Sequence, residues 1–557
     1  MSSAALIWIW LTPLLMVPFS GLQLSKWFLV LAPLPALGIA VLATFSVYPS
    51  NSTLEIPWLL LGVVWGLDVT GRIFLLVSSL LWLAGSIYGI NKPTEGLQTK
   101  RYRVFFLLSM SGNLGLIIAQ DMVSFYLGFA LMGLSAYGMI KPSRTQRARH
   151  AARLYLTMTI LGEVALFTAI VLLAAQTDAL EFVHLQNIEF FSAAIVLLII
   201  GFGIKIGLPG LHMWMPLTYM AAPVGTVAIL GSSMLNAGLL GLLRFLPPGN
   251  DSLFAWGETI VVIGLIATFY GIVIGLLQNN TRSVLAYSSI SKMGTLTMGI
   301  GLALKNPQAA PLLTAAIVIY ASHHAFVKSA LFLGTDLIST RKSPWIFLSL
   351  CFLALVLSGA PFTSGAAAKV LLKDAIPLQW QSLTQWLLIA ALATVLLMGR
   401  LLFLVWNKPD RIIGASSLDG FAKSAYFAML LIIAAMPVVL MPLHKLLSGG
   451  VPIVIGGVLT ALIWRTTPQI LRKLCIDIPP GDVLVVLSWI FAQLKNKLQH
   501  LSFHLEHIVN DWNQWVARMN RRLRNYSSWS IEILLRHWEL TGTLWLALCL
   551  GLIVILI

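Results

Sequence analysis

Cysteine is almost missing from this sequence. The three present in 557 residues, Cys351, Cys475 and Cys549, lie far apart and in no metal-ligand spacing, which excludes a disulfide framework or a zinc site. Charge is scarce too. Asp, Glu, Lys and Arg make up 10% of the chain, where a soluble domain carries about 25%. Acidic residues are the scarcer sign, 20 against 36 basic, for a formal net charge of +16. No glycine loop stands ahead of a Lys-Ser or Lys-Thr pair, no haem or zinc spacing occurs, and no nucleophile motif is present. The sequence therefore offers no catalytic centre, no metal site and no cofactor site of those kinds.

What the chain has in abundance is long apolar runs. Hydrophobic residues make up 58% and mean hydropathy is +0.88. Runs of spanning length satisfy their own backbone hydrogen bonds in lipid as helices. The length has room for about sixteen such spans. The excess of basic residues then belongs in cytoplasmic loops, not against nucleic acid. The first apolar segment begins almost at Met1 without a basic stretch before it, so it is expected to be a retained helix and not a cleaved signal.

Spans are expected near 4–22, 27–46, 69–90, 104–120, 122–140, 153–175, 190–222, 223–246, 256–277, 283–303, 310–338, 345–375, 382–405, 424–444, 449–465 and 541–557. Basic loop residues follow the odd-numbered spans: Lys100, Arg101 and Arg103, then Lys141 to Arg149, Arg282, Arg341 and Lys342, Lys408 and Arg411, and Arg465 to Lys473. That alternation expects those ends in the cytoplasm and the N-terminus outside an inner, bacterial-type membrane.

Two spans carry breakers. The seventh reads "GFGIKIGLPGLHMWMP" and the twelfth "LVLSGAPFTSGAAAKVLLKDAIP". Interrupted helices at matching places in two halves point to a transporter site built from repeats. Past Pro480 the pattern changes: Leu487, Ile490, Leu494, Leu498, Leu501, Leu505 and Ile508 draw one helical stripe opposite Lys495 and Lys497. This reads as an amphipathic lateral helix over 483–535, on the cytoplasmic side, followed by a final span over 541–557. It is expected to brace the bundle or a neighbour, with a plain membrane anchor as the alternative.

An ionisable group inside a membrane helix costs at least about 2.5 kcal/mol, so each is a functional candidate. They are Glu163 in the sixth span, Lys205 and His212 around the seventh-span break, Lys292 in the tenth, His323, His324 and Lys328 in the eleventh, and Lys369 past the break of the twelfth. His324 and Lys328, four apart, share a helical face. Low dielectric disfavours the charged form of an ammonium, and histidine titrates near neutrality, so such a set suits a proton relay. The structural alternatives are snorkelling lysines, packing histidines, and a Glu163 tied to a loop arginine such as Arg153.

Over 120–375 the sequence resembles the antiporter-like subunits of respiratory complex I, Mrp cation/proton antiporters and membrane-bound hydrogenases. The matching runs are "GFGIKIGLPGLHMWMP", "AAPVGTVAIL", "MLNAGLLGLLRFLP", "NNTRSVLAYSSISKMG", "SHHAFVKSALFLG" and "SGAPFTSGAAAK", in order and spacing. The resemblance implies an all-α integral membrane fold with two inverted five-helix repeats, helices four to eight (104–246) and nine to thirteen (256–405). Helices one to three (1–103) would precede them, and helices fourteen and fifteen (424–465) would follow. It implies proton movement along a central hydrated axis, with Lys205 as the central lysine, His324 and Lys328 as the eleventh-helix pair, and Lys369 at the outer exit. Two positions depart from the family's charge row: Ala130 stands where a glutamate is usual, and Asn236 where a lysine is common. Glu163, one helix along, is the candidate to replace the missing carboxylate.

The expected function is a proton- or cation-translocating subunit working beside other membrane subunits, with protons or sodium as the ion and no nucleic acid. A soluble redox partner would make it part of a translocating oxidoreductase of the NADH/quinone or hydrogenase type; the chain alone has no redox centre. A soluble zinc-containing partner would fit an inorganic-carbon accumulating complex driven by proton flow. A structural subunit with a partly decayed channel is the remaining alternative, favoured by Ala130 and Asn236.

Overall fold

The computed structural model describes residues 5–22, 25–44, 53–59, 61–91, 99–140, 145–177, 179–340, 343–407, 419–440 and 450–466. The lateral helix expected over 483–535 and the final span over 541–557 lie outside the described residues, as do the loop cations Lys141, Arg144, Arg341, Lys342, Lys408, Arg411, Arg472 and Lys473.

The helices, in chain order, are α1 (Ala5–Leu15), α2 (Ser25–Leu31), α3 (Leu34–Thr44), α4 (Val69–Gly89), α5 (Lys100–Ile118), α6 (Met122–Ile140), α7 (Gln146–Ala174), α8 (Ser192–Ile206), α9 (Trp214–Ala221) and α10 (Val224–Leu230). They continue as α11 (Ser233–Phe245), α12 (Asp251–Leu276), α13 (Thr281–Lys305), α14 (Ala310–Thr340), α15 (Pro344–Ser358), α16 (Ser364–Asp374), α17 (Leu383–Trp406), α18 (Gly420–Leu440) and α19 (Gly450–Thr466). Among the described residues, nine helical segments are long and apolar enough to cross a membrane, and four shorter apolar helices accompany them. Several starts are set by side chains that accept from the first free N–H groups: Asp68 for α4, Thr99 for α5, Thr145 for α7 and Thr363 for α16.

The two expected breaks are present. α8 ends at Gly207, in the left-handed region at φ 79°, and α15 at Gly359, at φ 82°. Both are glycine C-caps, and α9 and α16 resume after short turns. A third break was not anticipated. The span read as continuous over 223–246 divides into α10 and α11 at Gly231–Ser232. Ser232 Oγ donates back to Ala228 O, the local bond by which serine loosens a helix. The all-α expectation also needs correcting among the described residues: β1 (Thr53–Ile56) and β2 (Val63–Gly66) form an antiparallel hairpin pairing Thr53 with Gly66 and Ile56 with Val63. Leu61 and Gly62, at φ 69° and 96°, make the turn, a device that periodicity does not reveal.

Packing sorts the helices into lining and wall. α13 and α14 are buried along nearly their whole length. α7 presents Ile160, Leu161, Val164, Phe167 and Val171 outward, a stripe suited to lipid. α12 and α13 meet backbone to backbone. A Cβ on Gly271 would lie 2.6 Å from Ser291 N and from Tyr287 O, so this contact requires glycine, as small residues do in membrane bundles.

Arg244 of α11 ties one end of the bundle. It donates to Leu116 O (3.0 Å), Ile117 O (2.8 Å) and Ala119 O (2.6 Å), and pairs with Asp68 at 2.9 Å. These are orphan carbonyls at the end of α5. Arg244→Met should leave them buried without that donor and destabilise the chain by about 2–4 kcal/mol. A lowered thermal midpoint of the detergent-solubilised protein checks this; an unchanged midpoint would show the carbonyls are satisfied otherwise.

Candidate functional site

The site begins where α8 stops. Lys205 lies in the last turn of α8, beside carbonyls whose partial negative charge suits an ammonium. Trp214 Nε1 donates to Ile204 O at 2.7 Å and satisfies one of those carbonyls across the turn. Lys205 is 5% exposed and Glu163 of α7 is 6% exposed. Glu163 is buried at the edge of the outward stripe of α7, beside Ile160 and Phe167 in helical register, and Arg153 sits apart, in an exposed patch with Arg149 and His150.

Glu163 and Lys205 meet at Gly133 of α6. A Cβ built on Gly133 would lie 3.1 Å from Glu163 Oε1 and 3.4 Å from Lys205 Nζ. The two charged atoms therefore flank one Cβ-sized gap. Lys205 Nζ donates to Tyr155 OH at 3.4 Å, and Tyr155 OH donates to Gly133 O at 2.9 Å. The Lys205 ammonium also lies 5.4 Å from the centre of the Phe129 ring, a cation–π distance. The second carboxylate oxygen, Glu163 Oε2, is buried with no hydrogen-bond partner among the described residues. Ala130, half-buried on α6, stands one turn before Gly133.

Lys328 and the two histidines occupy the middle of α14, and all three are fully buried. Lys328 Nζ donates to Leu285 O of α13 at 2.7 Å. Both ring nitrogens of His324 are buried without partners, as are both amide atoms of Asn236 on α11 and the hydroxyls of Ser288 and Ser291 on α13. Asn236 stands two residues from Gly238, whose Cβ position is 3.0 Å from Lys205 Cβ. Buried polar atoms of this kind are normally satisfied by ordered water. His323 Nδ1 meets Ser364 Oγ at 3.0 Å, linking α14 to the start of α16. His212 lies in the turn after α8, with Nε2 3.2 Å from Tyr270 OH, and packs edge-on to Tyr270 and Tyr287.

The last group surrounds the second break. Lys369 Nζ donates to Ser358 O, a terminal carbonyl of α15. Gly359 makes this possible, since a Cβ there would lie 2.8 Å from Lys369 Nζ. Lys292 Nζ of α13 donates to Thr394 Oγ1 of α17 at 2.8 Å. Lys292 and Lys369 line one cavity of about 110 Å³ together with Thr295, Tyr320 and Thr384.

The structure thus forms two clusters, Glu163 with Lys205 and Lys292 with Lys369, and sets Lys328 and the histidines on α14. Sequence reading missed Tyr155, Gly133, Tyr320 and Thr394. Tyr155, Thr159 and Glu163 stand at successive steps of four on α7, a polar line in an apolar helix that was a usable signal. Gly133 gave none. Among the described residues, no group of three or more His, Cys, Asp or Glu is arranged to hold a metal ion.

The protein family described as "NADH:quinone oxidoreductase/Mrp antiporter, TM" matches residues 119–397, which contain every candidate residue. Hydrogenase-4 component B of Escherichia coli is 25% identical over 289 residues, 49% of this chain and 43% of that protein. NADH-quinone oxidoreductase subunit N of Hydrogenovibrio crunogenus is 27% identical over 50% of this chain and 63% of its own length. A putative antiporter subunit of Staphylococcus aureus is 26% identical over 62% of this chain and 47% of its own. The match spans about half the length of these curated relatives. The fold is shared with a chain of the Mrp complex from Dietzia, at TM-score 0.64 and 18% identity over 82% of this chain and 99% of that one. It is also shared with a chain of an archaeal membrane-bound sulfane sulfur reductase, at TM-score 0.67 and 20% identity over 83% and 99%.

Proposed function

Because the chain belongs to the transmembrane family shared by NADH:quinone oxidoreductase and Mrp antiporters, we propose that it is a proton-translocating subunit of a multi-subunit membrane complex. Its relatives are subunits of such complexes by name, which supports membrane partners for this chain too. We read α5 to α11 and α12 to α17 as two inverted repeats, each with one glycine-capped break. The basic residues Lys100, Arg101, Arg103, Arg147, Arg149 and Arg282 would face the cytoplasm.

The observation that carries the proposal is the buried gap shared by Glu163 and Lys205. A carboxylate and an amine at that spacing hold one proton between them, and the charge of one sets the protonation of the other. From there the proton passes by way of the unpartnered polar atoms of Asn236, Ser288, Ser291 and His324 to Lys328, with water filling the steps. His323 and Lys292 lead on to Lys369 at the second break. Asn236 makes the middle of this path neutral: it relays by hydrogen bonding and stores no charge. Glu163 takes the part that Ala130 cannot play.

The test is proton uptake into proteoliposomes holding the full chain with the subunits that co-purify with it. Lys369→Arg keeps a cation at the second break but does not release its proton, because guanidinium stays charged in proteins. Uptake should fall by roughly tenfold or more, within the range of lost proton-transfer groups. A wild-type rate would make Lys369 a fixed cap on α15 and remove it from the path.

A further inference from the structure

We propose that the cleft between α16 and α17 binds a small monovalent anion, held between Lys369 and Lys292. Three lysines line this one cavity at successive depths. Lys373 is exposed at the rim, Lys369 is half-buried, and Lys292 is 2% exposed at the floor. Lys369 and Lys373, four apart, share one face of α16. Among the described residues, no Asp or Glu lines the cavity, although Asp374 follows Lys373 directly in sequence. The titratable group lining it from α14 is Tyr320, which supplies a hydroxyl; His323, its ring 6.1 Å from that of Tyr320, meets Ser364 Oγ and supplies no negative charge.

Hydrogen-bond capacity points the same way. An ammonium has three N–H donors. Lys292 gives one to Thr394 Oγ1 and Lys369 one to Ser358 O, so two remain on each. Tyr320 adds a further hydroxyl donor around the same space; the hydroxyls of Thr295 and Thr384 already donate to Ser291 O and Gln381 O. The rest of the wall is apolar, including Leu387, Leu388 and Pro452. A cleft lined by one sign of charge and low-dielectric walls focuses its field and concentrates counter-ions. The volume of about 110 Å³ accommodates a halide with two or so waters, at roughly 30 Å³ per water.

The contrast with the first cluster gives the site a role. Lys205 has Glu163 beside it, whereas Lys292 and Lys369 have no carboxylate in their cavity among the described residues. Protonating both in low dielectric requires a counter-charge from elsewhere, and an anion entering past Lys373 supplies it. The inference rests on the charge of the cavity and stands apart from proton transport.

The experiment is equilibrium binding of radiolabelled chloride to the purified full chain in non-ionic detergent and chloride-free buffer. The expected result is saturable binding of a single chloride, displaced by bromide. Lys292→Met and Lys369→Met should each weaken it at least about tenfold, the loss of a charge-assisted hydrogen bond. Lys369→Arg keeps charge and donors and should retain binding, which shows that the methionine result is not misfolding. Lys205→Ala, in the other cluster, should bind chloride as the wild type does even where its proton flux is lost, so the two readings fail separately. Absence of saturable binding, wild-type binding by both methionine variants, or density for an acyl chain in the cleft would overturn the proposal.

Discussion

Lys205→Ala is expected to abolish proton uptake, by on the order of a hundredfold or more, while the complex still assembles. The reason is position. Lys205 is the buried ammonium at the end of α8, beside Glu163 and bonded to Tyr155 OH. Alanine keeps the Cβ that packs against Gly238 and removes the rest of the side chain with the ammonium proposed to carry the proton. α8 should remain intact, since its last carbonyls keep the Gly207 cap and the Trp214 bond. Native gels report assembly and vesicle acidification reports flux. Wild-type flux in an assembled Lys205→Ala complex would remove the core of the proposed mechanism and leave a structural subunit as the better reading.

Glu163→Gln should slow uptake by about ten- to a hundredfold. Glutamine keeps the shape and a hydrogen-bonding oxygen but not the charge. Two unit charges about 4 Å apart interact by about 4 kcal/mol at an effective dielectric of 20, which changes a protonated fraction by about a thousandfold. The gap at Gly133 sets the pair at or somewhat beyond that separation, hence the smaller expected effect. Ala130→Glu in the Glu163→Gln background returns a carboxylate from α6, one turn from Gly133, and should restore part of the rate. Recovery separates a need for negative charge from a need for glutamate at one position. A Glu163→Gln rate equal to wild type would mean that Tyr155 and the ring of Phe129 support Lys205 unaided.

Much of the architecture followed from local rules. Apolar runs of spanning length must be helical in lipid, because no other single segment satisfies its own backbone there. The breaks after Lys205 and before Lys369 were marked by Pro209, Gly210, Pro216, Pro361 and Gly365, and the structure adds Gly207 and Gly359 as the caps. The break at Gly231–Ser232 escaped because serine stands in unbroken helices too: Ser322 makes the same bond, to Val318 O, inside continuous α14. The hairpin escaped because its strands are only four residues each, too short for alternation to show.

The site divides along the same line. Cost alone nominated Lys205, Lys292, Lys328, Lys369 and Glu163, since a buried ionisable group in a membrane helix needs a use. Helical periodicity further placed His324 and Lys328 on one face. It could not give the neighbour. Whether Glu163 met Lys205 or Arg153, and whether Lys292 met a carboxylate or a second lysine, depended on which helices lie side by side. That is decided by backbone approach at positions such as Gly133 and Gly271, where a missing side chain lets two helices close. Sequence records a glycine there, but the partner it admits is a property of the packed bundle.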